Sequence, residues 1–456
     1  MFNATDTIAA LATPVGESGI AVIRISGPQA LDVLSRVMRQ PSGRPFEAWE
    51  HRRLYHGYFV ETSEARVDEV MASVMRGPDS YTGEDVVEIS CHGGLAVVQR
   101  VLEVLFGQVR PAEAGEFTRR AFLNGKIDLI QAEAVADLIH ARTEVQRVAA
   151  ERQLSGELSR RIDALADDML VLLGDLEARI DFIEEGIEAL DPPRALGRIE
   201  AQRGALDELL ASAPMARVLR DGFRVVIAGP VNAGKSSLFN RLLGESRAIV
   251  TEIPGTTRDV LRETLVIDGV PFVLHDTAGL RQHTTDRVEQ LGMGRTTDAV
   301  GQADLVLFVI DGSEKFPAAT SPQQSLGGLD ATRSIVLINK ADLPARTNGG
   351  VAGLHVSALT GAGLDELRAT MVARTGALDL ARMARERSVL NARLVRLLED
   401  ERQKLTELAE MLRHSEPMEL VAEKAREALS LYEEATGRRY HDGLLDVIFS
   451  RFCIGK

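Results

Sequence analysis

A chain of 456 residues has room for roughly two to four domains, and at 45% hydrophobic it can bury several cores. Its formal net charge of −14 excludes binding to nucleic acid through bulk electrostatics, so any such contact has to come from a local patch or a partner. No apolar run approaches the length of a membrane span, Met1–Asp6 shows no basic or apolar leader, and the two cysteines (Cys91, Cys453) point to a reducing compartment, so the chain reads as cytoplasmic.

From Thr7 to about Arg120 the pattern is short and β-like. Candidate strands are Ile8–Leu11, Ile20–Ile25, Val67–Met71 and Val86–Ile89, with turn signals at Gly16, Gly27-Pro28, Gly77-Pro78 and Gly93-Gly94. Between them, Ala30, Leu31, Val33, Leu34 and Val37 recur at helical spacing, which predicts a helix over Pro28–Arg39. This stretch predicts a compact α+β domain over 1–120.

Helical periodicity takes over from Phe117 to about Leu210. Leu154, Leu158, Ile162, Leu165, Met169, Leu172, Leu176 and Ile180 form one apolar stripe, which suits packing inside a helical bundle better than a coiled coil. Gly222 to Gly376 then alternates strand and helix as a parallel α/β sheet does. Strands are expected at Phe223–Ala228, Leu265–Ile267, Phe272–His275, Leu305–Ile310, Ile335–Ile338 and Leu354–Ser357, with Asp268-Gly269 as a two-residue hairpin turn. Helical spacing returns at Leu390, Leu394, Leu397, Leu405, Leu408 and Leu412. The expected architecture is multidomain. An α+β N-terminal domain precedes an α-helical domain over 121–215 and 378–456, and an α/β P-loop domain over 216–377 is inserted in the helical one.

The chemistry concentrates in the inserted domain. Val225-Val226-Ile227-Ala228 leads into Gly229-Pro-Val-Asn-Ala-Gly-Lys-Ser236, a buried strand opening into a glycine-rich turn and a helix N-terminus. Backbone N–H groups of such a turn converge on phosphate oxygens, Lys235 reaches the outer phosphates, and the Ser236 hydroxyl suits Mg²⁺. Thr256-Thr257 supplies a further hydroxyl for Mg²⁺, Thr257 being the candidate ligand. Asp276-Thr277-Ala278-Gly279 ends a strand with a carboxylate for a metal-bound water and an N–H for a γ-phosphate. Asn339-Lys340-Ala-Asp342 ends another, and its carboxylate can accept the N1–H and amino group of guanine, which adenine lacks. Ser357-Ala358 follows the next strand with backbone donors for the guanine carbonyl. Together these motifs predict binding and hydrolysis of GTP.

Hydrolysis raises a difficulty, because the position after Gly279 holds Leu280, where a Ras-type enzyme has a water-orienting glutamine. Arg281, Gln282, Asp286, Arg287 and Glu289 are the downstream candidates for the missing role. No arginine finger is announced, so a monovalent cation held by an oxygen side chain such as Asn232 can take its place; the plain alternative is that Asn232 caps its own turn.

These motifs, with Ile253-Pro-Gly-Thr-Thr-Arg-Asp259 and Asp276-Thr-Ala-Gly-Leu280, resemble the TrmE/Era class of GTPases. Ser80-Tyr-Thr-Gly-Glu-Asp-Val-Val-Glu88, Cys91-His-Gly-Gly94, Gly115-Glu-Phe-Thr118, Ala121–Leu129 and Phe452-Cys-Ile-Gly-Lys456 narrow the likeness, over nearly the whole chain, to its tRNA-modifying members. The resemblance implies a GTPase that works with a flavoprotein partner, MnmG (GidA), as a heterotetramer on the wobble uridine of tRNA. It adds an aminomethyl or carboxymethylaminomethyl group at C5. A tetrahydrofolate derivative, 5-formyl or 5,10-methylene, carries the one-carbon unit, and the N-terminal domain binds it and forms a homodimer.

By the same resemblance, GTP contacts fall on Asn232, Ala233, Gly234, Lys235, Ser236 and Ser237, on Thr251, Glu252, Ile253, Pro254, Gly255, Thr256 and Thr257, and on the strand-end residues above. K⁺ is held by Asn232, Thr251, Ile253 and Thr256, and Glu289 is the catalytic residue. Folate is contacted by Arg24, Glu88, Lys126 and Lys456, with Cys453 either near the one-carbon chemistry or a plain half-buried thiol. Gly125 departs from the family pattern, where Asp or a similar residue is expected, which loosens a turn without touching a ligand. The competing readings are an Era-like regulatory GTPase of ribosome assembly and a folate-binding scaffold whose dimer state GTP sets. Against the first, no basic KH-type segment follows the nucleotide domain.

Overall fold

Alternation along Ser18–Ser26 sets the N-terminal architecture: Ala21, Ile23 and Ile25 are buried on one face while Val22 and Arg24 look the other way. The structure, a computed structural model, describes residues 6–181, 192–244, 262–276, 300–314, 331–345, 352–376, 382, 384–386 and 388–456. It divides into two compact units, Met1–Ile139 with Gln153–Arg203 and Asp400–Lys456, and His140–Arg152 with Gly204–Glu399. The chain leaves the first unit twice, at His140–Arg152 and at Gly204–Glu399, and returns to it each time.

In the first unit β1 (Ile8–Leu11), β2 (Ser18–Ser26), β3 (Met38–Arg39), β4 (Arg53–Val60), β5 (Arg66–Met75), β6 (Val86–Gly93) and β7 (Arg110–Pro111) form a sheet ordered β3-β4-β5-β6-β2-β1-β7. Helices α1 (Ala30–Val37) and α2 (Leu95–Phe106) lay Val33, Leu34, Val101 and Leu105 on one face of it. The helix predicted over Pro28–Arg39 stops at Val37, because Met38 and Arg39 pair with Phe59 and Tyr58 of β4 and continue as strand.

Beyond α3 (Glu116–Leu123) and α4 (Leu129–His140) come α5 (Glu144–Leu154), α6 (Glu157–Asp181), α7 (Pro192–Leu210) and α8 (Ala213–Asp221). The stripe on α6 buries Leu158, Ile162, Met169, Leu172 and Leu176. It packs on the helix Met418–Thr436, whose buried Ala422, Ala425 and Ala428 permit close approach. The apolar repeat therefore serves a helix of the same chain. After the helix Asp442–Phe449, the segment Phe452–Lys456 returns to the sheet. Ile454 bridges Ala114, Phe117 N–H donates to Lys456 O at 3.2 Å, and a Cβ on Gly455 (φ 96°) would meet Leu11 O at 2.2 Å.

A buried ion network fixes the start of α3. Arg120, 1% exposed, donates to Asp6 Oδ1 at 2.6 Å and Glu116 Oε1 at 3.0 Å, and Arg110 reaches the same two acids at 2.8 and 2.6 Å. Burial alone raises the pKa of both carboxyls, but the hydrogen bonds from Arg110 and Arg120 outweigh it and hold both below their ordinary values of 3.8 and 4.5. A depressed folded-state pKa contributes stability above the unfolded value and loses it as pH falls through the folded one. The thermal midpoint of this unit is accordingly expected to stay level down to pH ~5 and to drop below it. In Glu116→Gln the drop is shallower; equal slopes in a circular-dichroism melt series would remove the network from the account.

The second unit carries β8 (Phe223–Ala228), β9 (Arg262–Ile267), β10 (Val270–Asp276), β11 (Leu305–Asp311), β12 (Ser334–Asn339) and β13 (Leu354–His355), ordered β13-β12-β11-β8-β10-β9. All neighbours are parallel except β9 and β10, joined through Asp268 (φ 49°) and Gly269 (φ 80°). Two consecutive left-handed residues make the hairpin turn that matches strand twist. β8 is buried on both faces, Val225 and Ile227 in one core and Val226 and Ala228 in another. The chain places β10 on one side of β8 and β11 on the other, the switch point outside whose carboxyl ends an open α/β sheet binds its ligand.

Candidate nucleotide-binding site

The loop leaving β8 has a path that only its own sequence allows. A Cβ on Gly229 would sit 2.1 Å from Val309 O, and one on Gly234 (φ 89°) 2.2 Å from Asn339 Nδ2. Asn232 between them is left-handed, φ 62°, which asparagine tolerates better than most residues. The loop ends in α9 (Lys235–Gly244), so Lys235, Ser236 and Ser237 form its first turn. Lys235 Nζ arches back to donate to Pro230 O at 2.6 Å. The Asn232 side chain makes no hydrogen bond among the described residues, so the turn-capping alternative has no bond to support it.

Asn339 ties this loop to the turn that carries Ser357 and Ala358. Only 2% exposed, it donates from Nδ2 to Ala233 O at 2.8 Å and accepts Ala358 N–H on Oδ1 at 3.1 Å. Ser357 Oγ donates to Asp342 Oδ1 at 2.5 Å and itself accepts Thr360 N–H at 3.1 Å, so the Asp342 carboxylate is held by the turn that follows β13. The backbone donors expected of Ser357 and Ala358 already have partners, Ser357 N–H going to Ala362 O at 2.9 Å. Ser357 lies two residues beyond the end of β13, in the turn that this bond closes. Sequence reasoning passed over Asp311, which pairs with Lys340 at 2.6 Å; the signal was Asp311-Gly312 at the end of an apolar strand.

Asp276 ends β10, with its backbone in register with Ile227 of β8. Thr277, Ala278 and Gly279, the whole Thr251–Thr257 segment, and Leu280 to Glu289 lie outside the described residues. The structure therefore brings together Asn232 to Ser237 with Asn339, Asp342, Ser357 and Ala358.

A second cluster sits in the first unit. Arg24 and Glu88 face one another across β2 and β6, and Arg24 Nε and Nη2 donate to Glu88 Oε1 at 2.9 and 2.7 Å. Arg24 Nη1 donates to Gly455 O at 3.3 Å, and the guanidinium lies 5.5 and 5.6 Å from the Tyr81 and Phe117 rings. Lys456 is close enough to sense both charges. Burial and the Arg24 charge lower its pKa, and Glu88 partly offsets them. Lys126 is exposed and donates to Pro78 O at 2.9 Å, so it borders the Pro78–Glu84 loop, which also carries Tyr81, while remaining outside the Arg24 contacts. Cys453 is exposed, and its carbonyl accepts Gly115 N–H at 3.4 Å. Cys91 is buried, with its thiol pushed up to about 11 by burial and the Asp68 charge. Gly125 is left-handed (φ 66°) with open space around its Cβ position, a conformation glycine adopts without strain.

The fold and this site define a P-loop GTPase domain inserted in a helical domain and preceded by an α+β domain. Residues 129–453 match the profile described as the MnmE helical domain, and residues 7–126 the one described as the GTP-binding protein TrmE N-terminus. Curated relatives named tRNA modification GTPase MnmE include proteins of Natranaerobius thermophilus (41% identical over 99% of both chains), Symbiobacterium thermophilum (44%, 99% of both) and Geobacter metallireducens (44%, 99% of both). The chain belongs to the MnmE family of GTPases.

Proposed function

We propose that this GTPase uses GTP hydrolysis to drive modification of the wobble uridine of tRNA at C5, adding an aminomethyl or carboxymethylaminomethyl group. The observation that carries the reading is likeness at 41–44% identity over 99% of each chain to relatives that bear the name tRNA modification GTPase. The domain limits are 1–120, 121–215 with 378–456, and 216–377. The chain acts as a homodimer with the flavoprotein MnmG, in a heterotetramer, in the cytoplasm. Among the described residues no helix is long and apolar enough to cross a membrane.

The donor sets fit the implied cofactors. Ser236 in the first turn of α9, with Thr257, suits Mg²⁺. The unengaged amide of Asn232, with Thr251, Ile253 and Thr256, suits K⁺, which places positive charge near the β/γ bridge. A tetrahydrofolate derivative, when bound, supplies the one-carbon unit. Glu88 accepts both Arg24 donors on Oε1, which leaves Oε2 without a hydrogen bond among the described residues and open to the paired N–H groups of a pterin-like ring. Arg24 steadies Glu88, while Lys126 and Lys456 supply cations for an anionic ligand, and Cys453 stands in the C-terminal segment whose Gly455 carbonyl accepts from Arg24.

Nucleoside analysis of tRNA from a deletion strain tests this reading. Loss of the C5-modified wobble uridines, restored by the wild-type gene and not by Arg24→Ala, is expected. An unaltered nucleoside profile with a defect in ribosomal subunits would turn the assignment to a ribosome-assembly switch.

A further inference from the structure

The guanine end of the nucleotide site holds an ion pair whose acid, Asp311, none of the motifs includes. Asp311 closes β11 in register with Asn339 of β12, and its Oδ2 takes Lys340 Nζ at 2.6 Å. The other oxygen is committed: Ser313 donates to Oδ1 from N–H at 2.8 Å and from Oγ at 2.6 Å, which fixes the plane of the carboxylate. The Asp311 side chain is only 10% exposed. Gly312 N–H donates to Asn339 O at 2.8 Å, and a Cβ on Gly312 would come equally close to that oxygen, at 2.8 Å. The turn after β11 is thus stitched to the strand end that carries Asn339 and leads to Asp342.

Lys340 needs that support. Its backbone is left-handed, φ 64°, a conformation that costs an ordinary L residue free energy. Its stem is among the most rotamer-rich side chains, so holding it on one path costs entropy. A carboxylate fixed on its far side carries that cost before a ligand arrives, and it compensates an ammonium that a purine would otherwise bury unpaired.

We propose that Asp311 is a positioning residue for guanine-nucleotide recognition, holding the Lys340 stem as a preformed wall of the purine pocket beside Asn339 and Asp342. The proposal rests on the reading of that pocket as the guanine site. Asp311 acts on affinity through Lys340, and the groups assigned to the γ-phosphate and the attacking water lie on other segments, so KM and kcat separate.

The test uses the full chain with a fluorescent GTP analogue for binding and GTP turnover for kcat and KM. Asp311→Asn keeps an oxygen for the Ser313 turn while removing the charge. It is expected to raise Kd and KM about tenfold, kcat staying within about twofold, with the melting temperature unchanged. In a Lys340→Met background the same change adds nothing further, the signature of action through that lysine. Unchanged Kd, losses that multiply in the double variant, or kcat and melting temperature falling together each overturn the proposal. Failure of the wild-type chain to bind guanine nucleotides overturns the pocket reading instead, and that result appears before any substitution is made.

Discussion

Asp342→Asn is expected to weaken GTP binding about 100- to 1000-fold and to create binding of xanthosine triphosphate. Guanine presents two donors on one edge, N1–H and the C2 amino group, and a carboxylate accepts both. Charge-assisted hydrogen bonds contribute about 1.5–3 kcal/mol each, so losing one and opposing its donor with another accounts for a change of this size. Ser357 Oγ donates to Oδ1 at 2.5 Å, and the asparagine carbonyl oxygen can keep that bond, so the new amide points Nδ2 toward the base. There it clashes donor to donor with the guanine amino group and matches the C2 carbonyl of xanthine. Asn339, with both side-chain ends engaged inside the protein, is untouched, so the fold stays intact and the melting temperature is unchanged. Calorimetric titration with GTP and XTP reads both arms. Equal GTP affinity in variant and wild type, with no gain for XTP, would displace Asp342 from base recognition.

Local signals in the chain were legible. The glycines of the P-loop, Asp268-Gly269 and the apolar core strands fall where spacing puts them, because backbone conformations with positive φ and doubly buried strands each demand particular residue types. Strand ends were underestimated where pairing extends them. β5 runs on to Met75 and β6 to Gly93 because they pair with each other and with their other neighbours, β4 and β2. β4 and α2 are weakly marked in the sequence, because their alternation and helical spacing lie between stronger turn signals. Contacts made across long sequence distances were illegible. Arg24 and Gly455 meet over 431 residues, and the Lys340–Asp311 pair depends on which strands are neighbours. Motif spacing identifies Lys340 but says nothing of what steadies it.

Glu289→Ala is expected to lower kcat for GTP about 100- to 10,000-fold while leaving the Kd for GTP within about threefold, the range set by loss of a positioned acid or base. The sequence puts Leu280 where a glutamine orients water in Ras-type enzymes, and leucine can neither donate nor accept. We propose that Glu289, the catalytic residue implied by the family resemblance, accepts a hydrogen bond from a water that in turn orients the nucleophile. The oxygen of that nucleophile attacks the γ-phosphorus as the bond to the β-phosphate oxygen breaks, giving GDP and phosphate. Charge develops on that bridging oxygen, and without an arginine finger a cation has to meet it. On the proposed reading Asn232, left-handed in the loop (φ 62°) and with its amide unengaged among the described residues, is the oxygen donor on the P-loop side. Turnover should therefore rise steeply with K⁺ and little with Na⁺ at equal ionic strength, because the smaller ion fits poorly where several oxygens must converge at potassium distance. Asn232→Ala should flatten the K⁺ response while leaving Glu289-dependent turnover in Na⁺ alone. The two substitutions thus separate the acid from the ion: one lowers the rate in either salt, the other only the difference between salts. A rate unmoved by Glu289→Ala would return the water to Gln282 or Asp286. A rate indifferent to the choice of alkali metal would leave the charge on the bridging oxygen to Lys235 and Mg²⁺ alone.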